Sequence, residues 1–230
     1  FFFQADDGIR DSVASRGLGD VYKRQPLDLG AHIVMHSSTK FISGHCDVVS
    51  GVLMMNNKEL SEKITLIQNT AGAIVSPFDA WLLLRSVKTL SLRVEKQFIN
   101  AEKIANWLQN NSKVKKVIYP GLSSHSQFKL ASQQQLSPEG KSVYGSMISF
   151  ELDESIDLDK FANKLNIITL AESLGGLKSL ISCPYSMTHA SVPKDEKMKL
   201  GITPNLLRFS VGIEHIDDLI SELDFAIEHN

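Results

Sequence analysis

Apolar residues are spaced in several ways along this chain, and each spacing predicts a different element. Residues 33–35 and 48–55 are short apolar runs without helical period, bounded by polar turn residues, which predicts buried strands. Residues 26–30 read as a helix end and turn, with Gly30 as a left-handed stop. Residues 59–69 carry Leu60, Ile64 and Ile67 on one helical face. Ser76-Pro77-Phe78-Asp79 predicts a helix start: Ser76 caps, Pro77 suits the first position and Asp79 completes a capping box. From there Ala80, Leu84, Val87, Leu90, Val94, Phe98, Ala101, Ala105 and Leu108 recur at intervals of three and four. That stripe predicts a helix to about residue 110, long enough that a bend or break between two domains is expected.

Beyond it, residues 114–119 predict a strand ended by Pro120-Gly121, residues 123–135 a helix, and residues 137–141 a loop. Residues 144–152 alternate, with Ile148, Phe150 and Leu152 against Met147, Ser149 and Glu151, which predicts a half-buried strand. A helix over 157–165, a strand over 167–170, a second alternating strand over 206–211 and a last helix over 216–229 follow. Asp217 and Asp218 suit the positive end of that last helix. This order predicts an α+β domain whose mostly antiparallel sheet is covered on one face.

The composition fits this outline without narrowing it. The chain has 230 residues, 43% hydrophobic and 22% charged, as expected of a soluble globular protein of one large or two small domains. A net charge of -2 gives no electrostatic case for nucleic acid or an anionic membrane, and no apolar run is long enough to span a bilayer. Cys46 and Cys183 lack metal-ligand or redox spacing, so no metal and no disulfide are expected and a reduced, cytoplasmic setting is the default.

Chemistry concentrates in residues 31–51, AHIVMHSSTKFISGHCDVVSG. A strand there would place Ser37, Thr39 and Lys40 at its carboxyl end, the edge where open α/β sheets bind ligands. Lys40 is a candidate Schiff-base amine and proton shuttle. Ser37 and Thr39, alternating on an extended chain, would offer two hydroxyls to one phosphate, with strand-end capping as the lesser alternative. Ser173-Leu174-Gly175-Gly176 lets backbone approach a ligand closely, and is otherwise an ordinary turn. Arg208 faces away from Leu207 and Phe209 and suits a bidentate grip on a carboxylate. His189 is assigned to a structural hydrogen bond.

Five segments together resemble the Cys/Met-metabolism family of pyridoxal-phosphate (PLP) enzymes: HSSTKFISGHCDVVSG, SPFDAWLLLRSVKTLSLR, ESLGG, PYSMTHASVP and LLRFSVGIE. That family includes cystathionine γ-synthases, cystathionine γ- and β-lyases, methionine γ-lyases and O-acylhomoserine sulfhydrylases, and the resemblance runs from about Pro26 to the end. It implies an α/β fold of type I, aspartate-aminotransferase-like. Residues 26–90 would be a remnant of the large parallel-sheet PLP domain with the start of the linker helix. Residues 91–230 would be a complete small α+β carboxyl-terminal domain. By the same resemblance Lys40 holds the cofactor, Ser37 and Thr39 meet its phosphate, and Ser173, the Leu174 backbone and Arg208 hold the carboxylate of a small amino-acid substrate. The implied activity is trans-sulfuration: γ-replacement or γ-elimination on a homoserine ester or cystathionine. Sulfhydrylase or methionine γ-lyase chemistry is the alternative, and self-association as dimers paired into tetramers is implied. Arg85, Thr89 and Arg93 also match family positions and are read as helix packing and surface pairing. Two positions depart: Ser86 replaces the usual glycine, and Lys178 stands where synthases and lyases often carry glutamate.

Residues 1–25 fit none of this. They lack the features of a secretory signal and look like an extraneous, non-native stretch. The family's ring-nitrogen aspartate would fall at Ser15, which cannot take that role. The stacking aromatic residue, the glycine-rich phosphate loop and a Tyr/Arg pair lent by a neighbouring subunit are not found either. The expectation is therefore an amino-terminally truncated enzyme, with a catalytically inactive fragment as the reading of another class.

Overall fold

A computed structural model describes residues 26–137 and 139–230. The turn at residues 26–30 ends with Gly30 at φ +97°, as its position predicts. The first apolar runs form β1 (Val34–Ser37) and β2 (Gly51–Met54), paired antiparallel with Val34 opposite Met54 and Ser37 opposite Gly51. They are less buried than predicted: Val34 is buried, but Met35, Leu53 and Met54 are exposed. Val48 is buried outside either strand. No parallel neighbour of β1 or β2 lies among the described residues, so the expected parallel sheet is not seen there. Between the two strands, Ser38–Ile42 winds into one π-type turn, closed by Ser43 N donating to Ser38 O at 2.9 Å.

Helix α1 (Lys58–Ala71) is capped by Asn57, whose side chain accepts from Leu60 N, and stops at Gly72 with φ +71°. Leu60 and Ile64 are half-buried, while Ile67 is exposed, against expectation. The long stripe does break: α2 (Pro77–Val87) starts at the Ser76 cap, and α3 (Leu90–Gln109) follows after Lys88-Thr89. The two halves bury differently. Phe78, Trp81, Leu84 and Val87 are exposed on α2, whereas Val94, Ala101, Ile104, Ala105 and Leu108 are buried on α3.

The rest forms one sheet. Its strands are β3 (Val114–Ile118), β4 (Met147–Leu152), β5 (Thr169–Leu170), β6 (Leu180–Ser182) and β7 (Leu206–Ser210), in the spatial order β3-β4-β7-β6-β5. All pairs are antiparallel except β5 with β6. The helices between them are α4 (Phe128–Gln134), α5 (Leu158–Asn163) and α6 (Lys194–Lys199), with α7 (Ile216–Glu228) last. α4 is shorter than its spacing predicts, and β6 and α6 fall in a stretch that reads as coil. One sheet face carries Ile148, Phe150, Leu152, Ile181, Leu207 and Phe209, packed with Ala101, Ile104, Ala105 and Leu108 of α3 and the buried residues of α7 into one apolar core. The other face carries Ser149, Ser182, Arg208 and Ser210, which period-two geometry forces to the opposite side. No helix among the described residues is long and apolar enough to cross a membrane. Cys46 and Cys183 are both free.

This division of burial gives a direct test. Phe209→Ala, at 0% exposure, is expected to lower unfolding free energy by about 3–5 kcal/mol in a urea titration. Leu84→Ala, at 67% exposure, is expected to change it by less than about 0.5 kcal/mol.

Candidate functional site

The polar sheet face and the lysine turn meet across one loop. Residues 171–176 leave β5, and β7 and the lysine turn hold them from two sides. Gly175 N donates to the hydroxyl of Ser210 on β7 at 2.9 Å. Arg208, also on β7, donates from Nη2 to the Glu172 carbonyl. On the far side Lys40 Nζ donates to Ser173 Oγ at 3.3 Å. Residues 133 positions apart are thereby placed side by side, and Lys40, Ser173 and Arg208 address one short loop.

Glycine makes this approach possible. Gly175 has φ +75°, and a Cβ there would lie 2.9 Å from the Phe41 backbone nitrogen. A Cβ on Gly176 would lie 3.1 Å from Cys46 Sγ. Leu177 N then donates to Gly44 O at 2.8 Å, tying the end of this loop directly to the lysine loop. From α3, Gln97 Nε2 donates to Gly176 O at 2.7 Å. Leu174 points away from the polar side: it packs on Phe41, Leu90 and Val94. Its side chain is an anchor, and only its backbone is free to face a ligand.

The motif after β7 closes the arrangement from behind. Glu214 accepts from Ser179 N at 2.6 Å and from Ser179 Oγ at 2.8 Å. Ser179 Oγ accepts from Gly212 N at 2.9 Å, and Ile213 N donates to Leu177 O at 2.9 Å. Asn100 Nδ2 reaches the carbonyls of Gly212 and Glu214 at 3.1 and 2.9 Å. A sequence reading assigns none of these to the site, because each touches only backbone or another loop residue. The spacing of glycine and glutamate in SVGIE was the available signal.

Two predicted residues behave differently from expectation. Ser37 ends β1 in extended geometry, but the chain turns at Ser38, so Thr39 does not alternate with Ser37 on one strand. Ser38, the intervening residue, is buried. Thr39 Oγ1 donates to Ser50 O at 3.2 Å and accepts from Ser50 N at 2.9 Å. Its one hydroxyl proton is committed to the β1–β2 loop, whereas Ser37 is exposed and its hydroxyl has no partner among the described residues. His189 bonds Thr188 Oγ1 through Nδ1 at 2.9 Å, in keeping with a structural role, and Lys178 is exposed.

Electrostatically the site is cationic. Lys40 is half-buried, and among the described residues no carboxylate pairs with it. Burial pulls the Arg208 guanidinium below its ordinary pKa, and the Glu172 carboxylate pulls it back up. A guanidinium stays charged under such a shift, and four of its five N–H groups remain beyond the one spent on Glu172. An amine without a carboxylate partner, a free hydroxyl at Ser37 and a cationic fork are the donor set that an aldehyde-bearing, phosphorylated cofactor and an amino-acid carboxylate require. Thr39 fits such a phosphate only by exchanging its bond to Ser50. Residue 15, where the ring-nitrogen partner would fall, lies outside the described residues.

Comparison with known proteins was made on this basis. The family model described as Cys/Met metabolism PLP-dependent enzyme matches residues 18–228. The cystathionine beta-lyase of Lactococcus lactis subsp. cremoris (strain MG1363) is 47% identical over 207 residues, which is 90% of this chain and 53% of that protein. The cystathionine gamma-lyase of Dictyostelium discoideum is 47% identical over 229 residues, 96% of this chain and 58% of the relative. Among solved structures, cystathionine gamma-lyase from Lactobacillus plantarum complexed with L-serine superposes with a TM-score of 0.83 at 40% identity, covering 92% of this chain and 54% of that one. Cystathionine gamma synthase from Xanthomonas oryzae pv. oryzae, in complex with aminoacrylate and cysteine, gives 0.80 at 41% identity, covering 89% and 51%. The chain thus spans about half the length of the curated relatives it matches.

The contact between the loops is testable through its glycines. A methyl group at position 212 would run into the Leu177 carbonyl oxygen and the Glu214 carboxylate, whereas one at Gly72 meets nothing within 4 Å. Gly212→Ala is therefore expected to destabilise the chain by about 3 kcal/mol or more by urea unfolding. Gly72→Ala, penalised only for its positive φ, is expected to cost about 1 kcal/mol.

Proposed function

This chain belongs to the family of Cys/Met metabolism PLP-dependent enzymes, and we propose that its Lys40 is the residue that holds the cofactor in a trans-sulfuration reaction. Over the half that it covers, the fold is that of the type I PLP enzymes. The observation that carries the proposal is the meeting of Lys40 Nζ with Ser173 Oγ at 3.3 Å, on a loop that Arg208 also grips. The boundary between the two domains falls near residue 90, where exposed α2 gives way to buried α3.

Bound pyridoxal phosphate would supply an electron sink for the amino-acid carbon next to it. The chain's own residues supply the rest. Lys40 Nζ is the amine that binds the cofactor and, once freed, carries a proton between substrate carbons. Ser173 orients that amine through its hydroxyl. Arg208 binds the substrate carboxylate with the N–H groups that Glu172 leaves open. Ser37 donates to the phosphate. The substrate is cystathionine or a homoserine ester. Relatives named as β-lyases and γ-lyases stand at similar identity, and a γ-synthase shares the fold, so cystathionine is the common part of the reading. The working enzyme is a dimer or tetramer, as the family resemblance implies, and two cysteines without redox spacing suit a reduced, cytoplasmic setting.

A second reading concerns the 230-residue chain acting by itself. Position 15 is serine, which cannot hold the ring nitrogen as aspartate does, so the isolated chain binds the cofactor weakly and turns nothing over. One pair of measurements separates these readings. The chain joined behind the preceding half of the Lactococcus relative is expected to develop a visible absorbance with pyridoxal phosphate and to cleave cystathionine, and Lys40→Ala to abolish both. The chain alone is expected to do neither. In the joined protein, Arg208→Lys is expected to raise KM for cystathionine about tenfold or more, since a bidentate pair becomes a point contact. Unchanged absorbance in Lys40→Ala would refute the assignment of the lysine.

A further inference from the structure

Arg93 is read from sequence as helix packing, yet its guanidinium lies at the back of the lysine turn. It sits in the first turn of α3 and is 6% exposed. Nη1 donates to Phe41 O at 2.9 Å and Nη2 to Ile42 O at 3.1 Å. These two carbonyls directly follow Lys40. They end a one-turn helix, and no further turn exists to bond them. The same guanidinium also grips the break between α2 and α3. Nη2 donates to Ser86 O at 3.1 Å and Nε to Thr89 Oγ1 at 3.1 Å. Thr89 Oγ1 in turn donates to Ser86 O at 3.1 Å.

The space for this fork is reserved. Gly44 has φ +69°, and a side chain there would collide with the Arg93 guanidinium. Ser86 adds a second hold on the same loop, because its hydroxyl lies 3.4 Å from His45 Nδ1, a contact that glycine at this position would lack. Lys40 itself has non-helical backbone angles inside the turn, φ -89° and ψ -124°.

We propose that Arg93 is a positioning residue for Lys40. Its planar fork holds the Phe41 and Ile42 carbonyls against the α2–α3 break and thereby fixes where the Lys40 amine points. This rests on the reading of Lys40 as the reactive amine, but it can be tested without cofactor. Lysine would not substitute for Arg93, because an ammonium is a point donor and cannot span carbonyls on two segments at once.

Trace acylation of the full chain with acetic anhydride, followed by peptide mass mapping, reports each lysine separately. Lys58 is exposed and sets the reference rate. Lys197 is buried, with Nζ held by the carbonyls of Tyr185 and Ala190, and reports general loosening. In Arg93→Met the rate at Lys40 relative to Lys58 is expected to rise about tenfold while Lys197 stays unchanged. Arg93→Lys is expected to give the same rise. Should Arg93→Met fail to fold, Thr89→Val removes only the Nε partner and is expected to raise the Lys40 rate about threefold. An unchanged Lys40 rate in the folded variants, a parallel rise at Lys197, or wild-type behaviour in Arg93→Lys would each overturn the proposal. A loosened turn in Arg93→Met, together with no cofactor uptake at Lys40 in the joined protein, would contradict the Lys40 reading while leaving Arg93 as the holder of the turn.

Discussion

The structure depends on one close approach, that of the loop at 173–179 to the lysine loop at 38–47. It consists of backbone meeting backbone: Leu177 N on Gly44 O at 2.8 Å, with Gly175 and Gly176 stripped of side chains where Phe41 and Cys46 come near. Such contact needs glycine on at least one side and polar partners for every buried amide. The partners come from Gln97, Ser210 and Glu214, all outside the two loops. An apolar plug of Phe41, Leu90, Val94 and Leu174 beneath them adds dispersion and water exclusion. Loss of that approach would part Lys40 from Ser173 without touching either residue.

Stability and chemistry are supplied by different parts of the chain. The apolar core lies between α3, α7 and one face of the five-stranded sheet. The lysine turn sits outside it, between the strands of the β1–β2 hairpin and against α2 and α3, and helices α1 and α2 bury little. The site is therefore held from the core side, through α3 and β7, rather than from the hairpin side. This explains why the long helix must break at Lys88-Thr89: one half follows the core, the other leaves it, and Arg93 occupies the joint.

Most of the fold was legible in the sequence because its signals are periodic. The alternation through Ile148, Phe150 and Leu152, and through Leu207, Phe209 and Val211, named the inward residues, and all are buried. Lys40, Ser173 and Arg208 were legible through motifs, and they converge on one loop. Other features carry no periodic signal. β6 has three residues, all buried, and cannot alternate visibly. Thr39 does not share a strand with Ser37, because β1 ends two residues before it and nothing in S-S-T-K announces a π-type turn. Arg93 acts on backbone atoms of a distant loop, a role that no side-chain pattern along the chain can reveal.

The central claim is that this chain presents one particular amine, Lys40, for a cofactor carbonyl. The most direct measurement is borohydride reduction of the joined protein after loading with pyridoxal phosphate, followed by peptide mass mapping. The account requires the reduced adduct on Lys40, with the other lysines unlabelled. An adduct on another lysine, or one spread over surface lysines with Lys40 unmodified, would contradict it.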